Sequence, residues 1–341
     1  MKTFIRIGVD LAKNFFQVHG IEQEGGVALT RKFTRAKFRE FFKRIGPSRV
    51  GMEACGSAHY WGRELMAMGH EVVLIAPAYA KPYVKRGKND AADAAAICEA
   101  MSRPQMRFVP IKSADQQATL MLHKTRDLMV KQRTMNVNAL RGHLAEFGLI
   151  AAKGIHRLDE LLALARAEGA IAEEARAAVE MLAGQVEQLD IRVDALEKVI
   201  AKTVAKSPAS RLLTQVPGVG PLISSAMTAS YPDPSVFKSG RDFSASLGLT
   251  PSQHSSGGKQ KLGSITKKGN RYLRKMLVVG CTSALRVAAK YKGGLAEWIV
   301  AMRKRKPERV VAVALANKLA RICWAIMSTG ESFREELFTR A

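Results

Sequence analysis

Apolar positions recur along the first hundred residues in two alternating rhythms. Runs of β-branched and aromatic residues at 3–10, 16–21, 27–33, 49–53 and 71–76 predict strands, while the spacing at 35–44, 58–68 and 90–101 predicts helices. The first three strands follow one another closely and read as a meander, so the whole stretch predicts a mixed α/β sheet. Ser113 and Gln116 stand three apart ahead of a long helical stretch, a capping-box spacing that opens a helix reaching about Phe147. Farther on, Val179, Val186, Val193 and Ile200 recur every seven residues, with Leu182, Leu189 and Leu196 between them. β-Branched residues at a and leucine at d favour a two-stranded coiled coil, so 179–200 is expected to pair subunits; one amphipathic helix packed on its own domain has the same spacing. The apolar stretch 310–327 reads as a core helix.

The polar positions add a strong charge imbalance. The 341 residues carry 54 Lys and Arg against 30 Asp and Glu, a net charge of +24 that makes nucleic acid the first suspect partner. Residues 1–100 hold +6, 101–150 hold +5, 151–200 hold −4 and 201–341 hold +17. The sign change near 205, with Pro208 beside it to end a helix, predicts three regions: 1–110, 111–205 and 206–341. A 47% hydrophobic content with no run of about 18 uncharged apolar residues argues against disorder and against a membrane span. Asp10 interrupts the apolar core that a secretion signal needs, so a soluble cytoplasmic protein is expected. Cys55, Cys98, Cys281 and Cys323 lie far apart without a Cys-x-x-Cys pair, which offers no support for zinc or a disulfide framework.

Three groups of residues carry candidate chemistry. Asp10 and Glu53 each end an apolar strand, and Asp90 and Asp93 sit three apart on one helical face. Singly, each acid reads as a turn residue, a helix-start charge or a cap; together, converging carboxylates call for hard cations such as Mg²⁺ or Mn²⁺. Two such ions about 3.5–4 Å apart would serve phosphodiester chemistry. Lys85, Arg86 and Lys88 beside the Asp pair are expected phosphate contacts. Second, Val216-Pro217-Gly218-Val219-Gly220-Pro221 has the form of a helix-hairpin-helix turn, where Gly218 and Gly220 would let backbone N–H groups approach a phosphate; a plain interhelical turn is the alternative. Third, Gly248 to Gly258 reads as a flexible polar loop leading to a basic helix, with Lys259, Lys261, Lys267, Lys268, Arg271 and Arg274 as nucleic-acid contacts.

These groups resemble one family in their order along the chain. Gly8-Val9-Asp10-Leu11-Ala12-Lys13, Met52-Glu53-Ala54-Cys55-Gly56, Lys88-Asn89-Asp90-Ala91-Ala92-Asp93-Ala94, Pro217-Gly218-Val219-Gly220 and Gly248-Leu249-Thr250-Pro251 through Ser256-Gly257 are similar to motifs of the insertion-sequence 110 family of transposases. These are Asp-Glu-Asp-Asp recombinases of bacterial mobile elements; the likeness points to their 1111 subgroup and runs from residue 3 to about 330. The resemblance implies a RuvC-like, ribonuclease-H-type N-terminal domain whose Asp10, Glu53, Asp90 and Asp93 hold Mg²⁺, with Mn²⁺ as a substitute. It also implies a coiled-coil linker and a mainly α C-terminal transposase domain with a catalytic serine. Register with Gly257 makes that serine Ser256, and Ser255 stands directly before it. The partners implied are donor and target DNA, a structured bridge RNA from the element's non-coding end, and further copies of the chain. A dimer or tetramer would bring carboxylates and serine from different subunits, at the bacterial nucleoid. The expected reaction is Mg²⁺-dependent strand cleavage and rejoining through a phosphoserine. Two other readings use the same residues: a Holliday-junction nuclease that activates water, and a non-catalytic nucleic-acid-binding protein.

Overall fold

Three strands open the chain as an antiparallel meander: β1 (Arg6–Leu11), β2 (Phe15–Ile21) and β3 (Val27–Thr34). Helix α1 (Arg35–Arg44) returns the chain to β4 (Arg49–Glu53), parallel to β1, and α2 (Ala58–Ala67) leads to β5 (Glu71–Ile75), parallel to β4. After the short α3 (Pro77–Ala80) and α4 (Asp90–Ala100), β6 (Phe108–Val109) adds antiparallel to β5 and completes the order β3-β2-β1-β4-β5-β6. The structure, a computed structural model, describes residues 4–22, 26–84, 89–167, 169–288, 291 and 293–334. It divides into two compact units, residues 1–117 with 231–236, and 118–230 with 237–341.

In the first unit, alternation sorts the sheet's two faces. Ile7, Val9, Phe16, Val18, Val50 and Met52 point to one side and bury against Phe38, Phe42 and Trp61 of α1 and α2. Phe16 meets Phe38 and Trp61 edge-on, with ring centroids 4.9 and 5.2 Å apart. Gly8, Asp10, Gln17, Gly51 and Glu53, the intervening residues, face the other side.

The second unit is mostly helical: α5 (Ala114–Ala145), α6 (Leu158–Arg166), α7 (Glu173–Lys206), α8 (Pro208–Leu213), α9 (Pro221–Ser230), α10 (Gly240–Ser246), α11 (Arg271–Arg286), α12 (Gly293–Arg303) and α13 (Glu308–Thr329). A two-stranded ribbon, β7 (Pro251–Gln253) and β8 (Leu262–Ile265), interrupts it. Ser113 and Gln116 form the expected capping box: the Ser113 amide donates to Gln116 Oε1 at 2.8 Å and the Gln116 amide to Ser113 Oγ at 3.2 Å. Pro208 ends α7, and Ser207 caps α8 by accepting from the Ser210 amide at 3.2 Å. The charge reversal near 205 does not divide the fold, because α7 packs on α8 and α9. α13 is long and apolar enough to cross a membrane by composition, with a mean hydropathy of 1.7. Its Val311, Leu315, Leu319, Ile322 and Ile326 are buried, and the helix packs on α10 and α11 as a core element.

The heptad seam of α7, expected to pair subunits, is covered inside the chain. Val179, Val186, Leu189, Val193 and Ile200 are buried, and the first two join a core with Val137, Leu140 and Leu144 of α5. α5 runs antiparallel to α7 and presents its own 3-4 seam, at His123, Arg126, Val130, Arg133, Val137, Leu140 and Leu144. Two of these positions are arginines. Arg126 Nε donates to Glu197 at 2.7 Å, and Arg133 pairs with Asp190.

His123, at the same seam, has a ring with both nitrogens engaged: Nδ1 lies 3.0 Å from the Tyr272 hydroxyl of α11 and Nε2 3.1 Å from Ser225 Oγ of α9. Burial, helped by the Arg126 charge, holds its pKa down at about 4 instead of 6.5. The unfolded chain therefore binds the proton more readily, and stability contributed above pH 6.5 is lost as pH falls toward 4. The full loss is about 3 kcal/mol. Denaturant titrations between pH 7 and 4.5 should follow this slope, and His123→Asn should flatten it.

Candidate active site

Two glycines form the floor of the carboxylate site. Gly8 of β1 and Gly51 of β4 are direct partners in the parallel register, and α4 crosses over both. A Cβ on Gly8 would lie 2.1 Å from the Ala94 carbonyl oxygen and 2.6 Å from the Cys98 nitrogen; one on Gly51 would lie 2.8 Å from Met101 Sδ. At Gly8 only a residue without a side chain lets the helix backbone approach the sheet this closely, while at Gly51 the space is filled by the side chains of Met101 and Ile97. Two residues farther along each strand, and so on the same face, stand Asp10 and Glu53. Asn89, not Asp90, caps α4, its Oδ1 accepting from the Ala91 amide at 2.9 Å. Asp90 and Asp93 then occupy the first turn, where the helix's N-terminal partial charge favours carboxylates.

The four carboxylates act on one another. Asp10 is pushed up from the ordinary carboxylate range to about 6, first by burial and then by the charges of Asp93, Asp90 and Glu53. Glu53 is raised by burial and by Asp93. Among the described residues, no three Asp, Glu, His or Cys side chains come close enough in this arrangement to enclose an ion. What fits a cation is the donor chemistry: all-oxygen, anionic and mutually repelling, as hard divalent ions prefer. Lys85, Arg86 and Lys88 lie outside the described residues.

The expected flexible loop at 248–258 is instead largely a hairpin. β7 and β8 pair antiparallel, and beyond them Ser256 bridges Lys259. Gly257 and Gly258 both have positive φ, 55° and 77°, as a two-residue hairpin turn of the primed type demands. The two adjacent serines differ sharply here. Ser255 Oγ accepts from the Lys261 amide and from Gln253 Nε2, each at 3.0 Å, so it holds the hairpin together. The exposed Ser256 hydroxyl has no hydrogen-bond partner among the described residues. Lys259, Lys261, Lys267, Lys268 and Arg271 are exposed, whereas Arg274 donates to the Leu247 and Lys268 carbonyls at 2.8 and 3.3 Å and braces the hairpin's base.

The Pro-Gly turn joins α8 to α9 and divides its two glycines between roles. Gly218, at φ 83°, packs its carbonyl on α11, where a Cβ on Gly280 would lie 2.3 Å away. Gly220 is exposed, with open space around it at the start of α9.

Comparison with known proteins bears on both groups of residues. A model for DEDD-type IS110 transposases matches residues 7–148, which include all four acids, and one described as Transposase IS116/IS110/IS902 family matches residues 210–293, which include the Pro-Gly turn and both serines. A putative transposase of Sinorhizobium fredii is 46% identical over 98% of this chain and 87% of its own length. The transposase for insertion sequence element IS1328 of Yersinia enterocolitica is 37% identical over 98% of this chain and 99% of its own. That for IS1111A of Coxiella burnetii is 38% identical over 98% and 92%. The chain belongs to the IS110 family of transposases.

The transposase is thus a DNA recombinase enzyme, and a divalent metal is suggested by its family. The four acids expected from the sequence stand on one face of the sheet, and what sequence reasoning missed is the glycine seat beneath α4. The signal was present: Gly8-Val9-Asp10 and Gly51-Met52-Glu53 repeat one glycine-x-acid pattern at two strand ends.

Proposed function

We propose that the transposase cuts and rejoins DNA through a covalent phosphoserine at Ser256, with Asp10, Glu53, Asp90 and Asp93 holding Mg²⁺ in a RuvC-like domain. The observation that carries this reading is the placement of four carboxylates on one face of the sheet, where burial first and the charges of Asp93, Asp90 and Glu53 after it lift Asp10 to a pKa of about 6. The meander followed by helix-linked parallel strands supports the ribonuclease-H-type assignment. Bound there, Mg²⁺ would polarise the phosphodiester and stabilise developing charge on the departing oxygen. Ser256 Oγ attacks phosphorus; its bond to phosphorus forms as the bond to the leaving sugar oxygen breaks, and the hydroxyl proton passes to that oxygen. The serine ester conserves the bond energy, and attack by another strand's terminal hydroxyl reverses the step and joins the strands.

A bridge RNA pairing with donor and target DNA supplies sequence choice, while the exposed Lys259, Lys261, Lys267, Lys268 and Arg271 and the open backbone at Gly220 contact phosphates. Self-association into a dimer or tetramer draws support from Met121, Leu128 and Met135, exposed at seven-residue intervals on α5. The work is done at the nucleoid. A single-turnover assay on labelled element junctions tests the reading: recombinant joints are expected. Hydrolytic nicks alone would mean a junction nuclease, and bound, uncut DNA a binding protein.

A further inference from the structure

The carboxylate face continues beyond the four acids. Asp10 is paired with Gln17 on β2, and Gln17 with Lys32 on β3, so a single cross-strand row runs Asp10, Gln17, Lys32, with Glu53 on the same face of the neighbouring β4. Directly opposed residues share a face of the sheet, which puts Lys32 on the side crossed by α4. Lys32 Nζ lies 3.3 Å from Asp90 Oδ2 and 5.4 Å from the centre of the Phe15 ring. Both partners of this ion pair have side chains 54% exposed, so the pair contributes little to folding. Its position is more informative than its strength: a cation rests on one of the four acids at the open end of the row.

We propose that Lys32 is the phosphate-contacting cation of the carboxylate site, held on Asp90 until DNA arrives. The inference rests on the reading of the four acids as a cation site. While Lys32 occupies Asp90, its charge opposes a divalent ion at the same carboxylates. A DNA phosphate offers the ammonium a replacement partner and frees Asp90. The Phe15 ring, exposed beside it, attracts the ammonium by cation–π interaction and keeps it over the site during the exchange.

The test uses the full-length protein with Mn²⁺ as probe, followed by calorimetry without DNA, and with duplex DNA at graded salt. Removing the opposing charge in Lys32→Met should tighten Mn²⁺ binding about three- to tenfold, while Lys32→Arg stays near wild type. DNA binding by Lys32→Met should weaken, and its logarithmic salt slope should fall by about 0.9, the value of one phosphate contact. Strand cleavage at saturating Mn²⁺ should slow even though the ion is held more tightly; a merely structural lysine would not move these readouts in opposite directions. Unchanged Mn²⁺ affinity or an unchanged salt slope in Lys32→Met, with wild type binding Mn²⁺ and Asp10→Asn weakened, would overturn this inference alone. No Mn²⁺ binding by the wild type would overturn the cation site with it.

Discussion

Asp10→Asn should leave the transposase able to bind DNA but unable to cut it. Asp10 is the acid on which the other three converge electrostatically, and its replacement keeps shape while removing the charge that a cation needs. Metal-assisted stabilisation of several kcal/mol corresponds to a rate loss of about a thousandfold or more. Binding rests on the basic surface and should change little. The wild-type enzyme adds a check of sign: with Asp10 titrating near 6, the charged form appears as pH rises, so cleavage at low Mg²⁺ should climb between pH 5 and 7. A cation selects the deprotonated carboxylate, so saturating Mg²⁺ should move that rise to lower pH. Cleavage by Asp10→Asn at the wild-type rate would remove the carboxylates from the mechanism.

Ser256→Ala should abolish the protein–DNA adduct and all rejoining, while Ser255→Ala should retain both. The contrast follows from the hairpin, where Ser255 is committed to the Lys261 amide and Gln253, and the Ser256 hydroxyl has no partner among the described residues. Losing the two hydrogen bonds that Ser255 accepts costs about 1 kcal/mol each, so Ser255→Ala should slow the reaction by about thirtyfold at most. Trapping on nicked DNA with peptide mass mapping reads the outcome. An adduct on Ser255, or full recombination by Ser256→Ala, would reverse the assignment.

The strands β1–β5 and helices α1 and α2 were legible from their apolar runs and periods, and α4 from an alanine-rich stretch that opens on two acids. The acids were legible as strand-end and helix-start residues, but the close seating of α4 that puts them on one face was not, since Gly8 and Gly51 act through an absent side chain and leave no apolar signature. The hairpin at β7 and β8 escaped because its strands are three and four residues long and lack alternation. The two serines are indistinguishable by type and differ only in what their hydroxyls touch. The pairing of α5 with α7 was hidden for another reason: Arg126 and Arg133 interrupt the apolar repeat of α5 where it faces the valines and leucines of α7.

Those two arginines solve an alignment problem. A valine and leucine repeat looks the same after a slide of seven residues, so apolar packing alone would let α7 settle on α5 one heptad out of place. The charges are not self-similar under that slide. Arg126 would meet Asp190, but Arg133 would face Ala183, leaving a guanidinium whose side chain is 24% exposed without a counterion. Stranding a largely buried charge costs about 3–5 kcal/mol, and partial exposure sets this case toward the lower end. The ionic rungs thus act as a vernier on a ruler whose apolar marks all look alike, selecting one alignment out of several that would otherwise be nearly degenerate.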